Sequence, residues 1–173
     1  MKSLIRLTMF FFIASLMVAC NSSREPFSPE GGGFSVQMPR TPEEQSKVLD
    51  TPAGPLKLNM YLCKAGNWVY MVGYAEHEKL GGDAEEILDG ARNGAVKIGN
   101  SKLITEDSIS LDGNPGRELR MEAPNGLRMR VRIILAGNRL YQVGVVTPKN
   151  DSYSPRIEKY LTSFRLTQAG KDS

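Results

Sequence analysis

The strictest constraint in this chain is a charge alternation: Arg128, Arg130 and Arg132 alternate with Met129, Val131 and Ile133. A period of two places the arginines on one face of a strand and the apolar side chains on the other. The preceding segment, 117–123, repeats the pattern, and the loop between the two sets which residues meet. If Pro124-Asn125-Gly126 is a three-residue loop, Ala123 pairs with Leu127. Glu122, Arg120 and Glu118 then face Arg128, Arg130 and Arg132, while Met121 meets Met129 and Leu119 meets Val131 on the other side. A two-residue loop would set the arginines opposite Ala123, Met121 and Leu119 and mix the faces. Because a one-residue slip reverses every side chain, the three-residue loop is preferred, with Gly126 in the left-handed position of a bulge.

This ladder has two readings. As structure it is a charged, solvated face with two cross-strand ion pairs worth a few tenths to about 1 kcal/mol each. As function, Arg120, Arg128, Arg130 and Arg132 form a patch for an anion or a partner, since Arg120 and Arg130 remain adjacent and like-charged.

The alternation belongs to a longer meander. Leu103–Leu111, Arg117–Ala123, Leu127–Leu135 and Leu140–Val146 read as strands, with turns at Asp112–Pro115, Pro124–Gly126 and Ala136–Asn138. Upstream, Phe34–Met38 and Gln45–Leu49 read as short strands, and Leu56–Cys63 with Trp68–Ala75 as a hairpin. Trp68–Ala75 is apolar on both faces, which predicts cover on both sides.

Two segments carry helical spacing. Ala84, Ile87, Leu88, Ala91, Ala95 and Ile98 form one stripe, with Asp83 as N-cap, Glu86 completing a capping box and Gly99 at the C′ position. Gly90 and Gly94 cost about 1 kcal/mol each relative to Ala, and close packing on a sheet would explain them. Ser154 and Pro155 open a second helix with Ile157, Tyr160, Leu161 and Phe164 inward. Strands, helix, meander, helix is an α+β order: an antiparallel sheet with two main helices packed on it.

The N-terminus carries a different message. Lys2 and Arg6 precede an uncharged run, Leu7–Val18, about 18 Å long as a helix against a hydrocarbon core of about 30 Å. A basic start, a short apolar run and a small residue make a secretory signal peptide over residues 1–19. Leu16-Met17-Val18-Ala19-Cys20 resembles the lipobox of bacterial lipoproteins. That resemblance implies cleavage between Ala19 and Cys20, a diacylglycerol on the Cys20 sulfur and an acylated, typically palmitoylated, new amine. Acyl chains contribute about 0.8 kcal/mol per buried CH₂, so several make a lasting membrane anchor. Asn21, rather than Asp, after the cysteine implies release to the outer membrane, facing the periplasm, where the cell has two membranes.

Residues 20–33 are polar and broken by Pro and Gly, which reads as a flexible tether after the lipidated cysteine. Gly31–Gly33 is no phosphate loop, because a strand-like segment follows where a helix would be needed. Residues 34–166 are then one α+β domain, and 167–173 a loose tail.

The composition excludes more than it offers. The chain has 173 residues, two cysteines, one histidine and a formal net charge of +3. Two cysteines cannot make a disulfide scaffold or a four-cysteine metal site, and one histidine makes no His-pair motif. Lys2 and Arg6 leave with the signal, so most of the mild basicity is an export feature and not a nucleic-acid footprint. With Cys20 lipidated, Cys63 has no partner in the chain and is expected to be buried and inert. His77 reads as a solvated loop residue, and Glu85, Glu86 and Asp89 as charges complementing a helix dipole. There is no Gly-x-Ser-x-Gly nucleophile motif. No catalytic residue, metal or cofactor is expected. The domain reads as a non-catalytic, monomeric, lipid-anchored envelope protein that binds another envelope protein. The alternative is a carrier or sensor of a small ligand, with a cavity near Tyr61, Trp68 and Tyr70.

Several short motifs carry a family resemblance. Phe34-Ser35-Val36-Gln37-Met38-Pro39 resembles the Phe-x-Val-x-Phe-Pro opening of PsbP-like domains. Gly113–Glu118, Arg139-Leu140-Tyr141 and Ser163-Phe164 are similar to later elements of that fold. The resemblance spans about residues 33–166 and implies an α/β/α sandwich around an antiparallel sheet. The family includes photosystem-associated extrinsic subunits, a nuclear-transport factor and bacterial lipoproteins of the DcrB type. Its common theme is protein binding, and none of its functional residues maps onto this chain.

Overall fold

The computed structural model describes residues 25–51, 54–76, 82–151 and 154–168. Ala19, Cys20 and His77 lie outside the described residues. The elements are β1 (Phe34–Ser35), β2 (Glu43–Thr51), β3 (Gly54–Ala65), β4 (Trp68–Glu76), α1 (Ala84–Ile98), β5 (Lys102–Leu111), β6 (Asn114–Glu122), β7 (Arg128–Ala136), β8 (Arg139–Thr147), α2 (Pro155–Leu161) and β9 (Arg165–Leu166). Seven strands form one sheet in the order β2-β3-β4-β8-β7-β6-β5. Every neighbouring pair is antiparallel. The segment containing α1 carries the chain from β4 to the far edge, and the meander β5–β8 folds back until β8 pairs with β4.

The expected register holds. Glu122, Arg120 and Glu118 lie opposite Arg128, Arg130 and Arg132. Gly126 has φ +80°, and the Ala123 N–H donates to the Leu127 carbonyl at 2.9 Å across the three-residue loop.

The sheet separates two cores. On one face Leu88 of α1 packs on Leu119, Met121, Val131, Ile133 and Leu140. On the other, α2 and the β1–β9 pair close an aromatic core that includes Phe34, Tyr70, Tyr141, Tyr160 and Phe164. Phe34 stacks on Phe164 with ring centroids 5.5 Å apart, and Tyr160 meets Tyr70 edge-on at 4.9 Å. The buried Tyr160 hydroxyl donates to the Met71 carbonyl at 2.8 Å, and burial pushes its pKa up.

Several local expectations change. α1 starts as expected, with the Glu86 N–H donating to Asp83. At its other end Gly99 is right-handed, φ −72°, and Asn100 takes the left-handed position, φ 42°. Crowding explains the glycine: a Cβ there would sit 3.1 Å from the Ala95 carbonyl oxygen. Gly90 and Gly94 do not serve close packing, because a Cβ at either meets nothing within 4 Å. β2 is longer than Gln45–Leu49. Phe34–Met38 is a strand only over Phe34–Ser35, paired with β9. On its aromatic face β4 buries Trp68, Tyr70 and Val72, whereas on the other Val69 and Met71 are half-buried, because α1 rests on β6 and β7.

Part of the segment 20–33 is docked on the domain. Phe27 bridges Val36 and packs 5.0 Å from the Tyr61 ring. Arg139 secures this segment by donating to the Gly31 carbonyl at 3.0 Å, while its second arm holds Glu76 at 2.9 Å. One aromatic side chain that reaches the core, together with the backbone bridge and the Arg139 bond, docks an otherwise polar stretch.

Candidate functional site

The arginine face is built on β6 and β7 and closed from above by α2. The pleat sends Glu118, Arg120, Glu122, Arg128, Arg130 and Arg132 to the α2 side. Glu118 is 5 % exposed and sits at the centre. Its Oε1 accepts the Arg130 Nε at 2.6 Å and its Oε2 the Arg132 Nε at 2.7 Å. The outer arms of the same guanidiniums reach Glu158 of α2, at 2.6 Å from Arg130 and 2.9 Å from Arg132. Each arginine therefore joins a sheet carboxylate to a helix carboxylate. Burial alone would raise the Glu118 pKa, but the hydrogen bonds and charges of Arg130 and Arg132 prevail and hold it below the ordinary value. At Arg130 burial lowers the pKa, but the hydrogen bonds and charges of Glu118 and Glu158 prevail and push it up.

Arg120 and Arg130 are opposite each other, as expected, but their like charge is relieved diagonally. Arg130 leans to Glu118, and Arg120 points outward with its nearest carboxylate oxygen, on Glu118, at 3.8 Å. Arg128 pairs with Glu122 at 2.8 Å. The structure thus gathers all four expected arginines on one face and adds Glu158. Strand alternation could not reveal Glu158. The only available signal is its place on the second helix, beside Ile157 but off the apolar stripe.

Two grooves flank α2 on this face. One, of about 570 Å³, is lined by Thr105, Arg120, Arg128, Arg130, Val145 and Lys149 among others. The other, of about 390 Å³, is lined by Ile109, Leu111, Arg132, Ile134, Leu161 and Phe164 among others. Arg130 borders the first and Arg132 the second, so their bridge to Glu158 divides them.

The cavity expected near Tyr61, Trp68 and Tyr70 is neither of these grooves. All three rings are buried in the aromatic core, and none lines either groove. The Trp68 Nε1 donates to Asp151 at 2.8 Å. Cys63 is buried in the same core. On the opposite face Glu85 and Asp89 do more than complement the helix dipole. Both pair with Arg117, Asp89 at 3.2 Å, and Arg117 also holds Glu106 at 2.7 Å. Arg92 joins Asp89 and Glu106, at 3.0 and 3.1 Å, completing a clamp between α1 and the sheet.

An antiparallel sheet between two helical layers, with an N-terminal segment docked beside a C-terminal strand, defines a PsbP-like fold. The chain is similar to the solution structure of cyanobacterial PsbP (CyanoP) from Synechocystis sp. PCC 6803, with a TM-score of 0.57 and 12 % identity, covering 82 % of this chain and 91 % of that one. No family sequence model matches the chain, and no curated protein matches it in sequence. The motifs behind the resemblance now have physical roles: Phe34, Val36, Tyr141 and Phe164 are core residues, and Arg139 is the clamp on the N-terminal segment. They specify the fold, which is what the likeness establishes.

Proposed function

We propose that the chain is a lipid-anchored, non-catalytic envelope protein that binds another envelope protein through the arginine face. The observation that carries this reading is a charged face that is incompletely neutralised and adjoins an open groove. Arg120 is 45 % exposed, and its nearest carboxylate is already shared between Arg130 and Arg132. Solvent-exposed arginine beside a concave surface is the composition protein interfaces favour.

The anchor is Cys20, in the outer membrane facing the periplasm, after cleavage behind Ala19. Phe27, seven residues after Cys20, is docked on the domain, and seven residues of chain reach at most about 25 Å. The partner therefore lies close to the same membrane. A second reading, a carrier of a small anionic ligand, draws on the groove of about 570 Å³, a volume within the range of small-molecule sites.

Mass spectrometry of the mature N-terminus with membrane fractionation tests the anchor: an acylated Cys20 in the membrane fraction is expected, and an unmodified, soluble chain would remove it. Photo-crosslinking in intact cells tests the binding. A crosslinker at Thr105, beside the groove, is expected to trap a defined partner, and one at Asn93 on α1 is not. Equal trapping from both positions, or none, argues against the reading.

A further inference from the structure

The four arginines are not equivalent. Arg130 and Arg132 are each engaged by two carboxylates, and each is 19 % exposed. Arg128 is engaged by Glu122 at 2.8 Å. Among the described residues, Arg120 reaches only Glu118 Oε1, at 3.8 Å, and that oxygen already accepts the Arg130 Nε at 2.6 Å. Among the described ion pairs of the face, Glu118, Glu122 and Glu158 engage Arg128, Arg130 and Arg132 at 2.9 Å or less, which leaves Arg120 the least engaged of the four guanidiniums. Arg120 stands on the wall of the groove of about 570 Å³, where Thr105, Thr147 and Asn150 supply polar groups and Val145 and Ile157 the apolar lining. Ile104 borders it, 45 % exposed, where the β5–β6 register slips between Leu103 and Thr105.

We propose that this groove takes an extended acidic segment of the partner protein, with one carboxylate on Arg120 and a neighbouring apolar side chain against Ile104. The proposal rests on the partner-binding reading above and names the chemistry of the partner. Charge complementarity selects an acidic occupant for a groove that Arg120 and Lys149 both line. The mixed lining points the same way, since hydroxyl, amide and apolar groups together suit a peptide better than a bare ion. β5 is an edge strand of the sheet, beside which an extended chain can lie. Arg130 and Arg132 stay bonded to Glu158, so α2 need not move.

The full chain in detergent micelles provides the test, with Trp68, its only tryptophan, as reporter. Trp68 bonds to Asp151 in the turn Lys149–Asp151, and Lys149 and Asn150 of that turn line the groove. Three probes are titrated: a capped peptide alternating Asp and Leu, the same peptide with Asn for Asp, and inorganic phosphate. The Asp peptide is expected to bind saturably by calorimetry, to shift Trp68 emission and to weaken as salt is raised. Arg120→Gln should reduce its affinity roughly tenfold or more at an unchanged unfolding midpoint, as expected for losing a charge-assisted hydrogen bond. Arg165→Gln, beside the other groove, should leave it unchanged. Equal binding of the Asp and Asn peptides, phosphate displacing the Asp peptide at equal concentration, or an Arg120→Gln variant that binds normally would each overturn the proposal. A partner crosslinked from Thr105 in cells and retained by Arg120→Gln would overturn the groove's chemistry alone. The absence of any crosslinked partner would overturn the partner-binding reading itself.

Discussion

β6 carries two charged constellations on its opposite faces, and they are built in inverse ways. Toward α2, a buried carboxylate, Glu118, is gripped by two arginines. Toward α1, a mostly buried guanidinium, Arg117, is gripped by Glu85, Asp89 and Glu106. Both tie a helix to the sheet. They differ in what surrounds them: the α2 side leaves an arginine over beside a groove, whereas the α1 side ends in carboxylates that are 71 % exposed at Glu85 and 48 % at Asp89. Charges in water are cheap to lose, and charges under a helix are not. The α1 clamp thus joins a largely buried base, Arg117 and Glu106, to a solvated rim, while the Glu118 network is both a core component and the support of a candidate site.

The largest expected effect follows from removing the centre of the buried network. Glu118→Ala leaves Arg130 and Arg132 facing each other in a poorly solvated site and should cost about 3–5 kcal/mol in urea unfolding. A loss no greater than that of Glu85→Ala would erase the contrast between the two faces. Arg117→Ala should fall between them, at about 1–3 kcal/mol, because its guanidinium is 12 % exposed and its three carboxylates can still reach water in part.

Acid sharpens the comparison. The Glu118 carboxyl titrates below its ordinary value when folded, so the unfolded chain binds the proton first as pH falls. Its stabilisation is complete above the ordinary carboxylate range, near pH 4.5, and is lost as pH drops through the folded pKa. Unfolding followed from pH 6 downward should show this loss in the parent chain, and Glu118→Gln should flatten the curve below about pH 4.5. An unchanged slope in the variant would mean that other carboxylates dominate acid unfolding.

The smallest effect belongs to the surface. Glu85→Ala should change stability by no more than about 1 kcal/mol, less in high salt.

Much of the sheet was legible because local constraints agreed. The alternation of 117–123 and 128–133, with Gly126 between them, admits one register that keeps the faces unmixed, and that register is present. The hairpin of β3 and β4, the N-cap at Asp83 and the opening of α2 at Ser154 and Pro155 were equally readable. Other features were not. β9 is two residues long and exists only because Phe34–Ser35 lies alongside it. Phe27 looked like one aromatic in a polar tether, because nothing local shows that Tyr61 and Phe34 wait beside it. Gly90 and Gly94 suggested close packing, yet neither has a neighbour for a Cβ to meet.

The candidate site divides along the same line. By itself the sequence determined that the arginines share a face and which strand partners they meet, because a period-two pattern and a short loop are local properties. Tertiary structure decided which arginines are engaged. Glu158 arrives from a helix 26 residues beyond Arg132, and its two bonds convert Arg130 and Arg132 into structural ties while leaving Arg120 outward. Neutralisation of a charge depends on what folds over it, and no period in the chain encodes that.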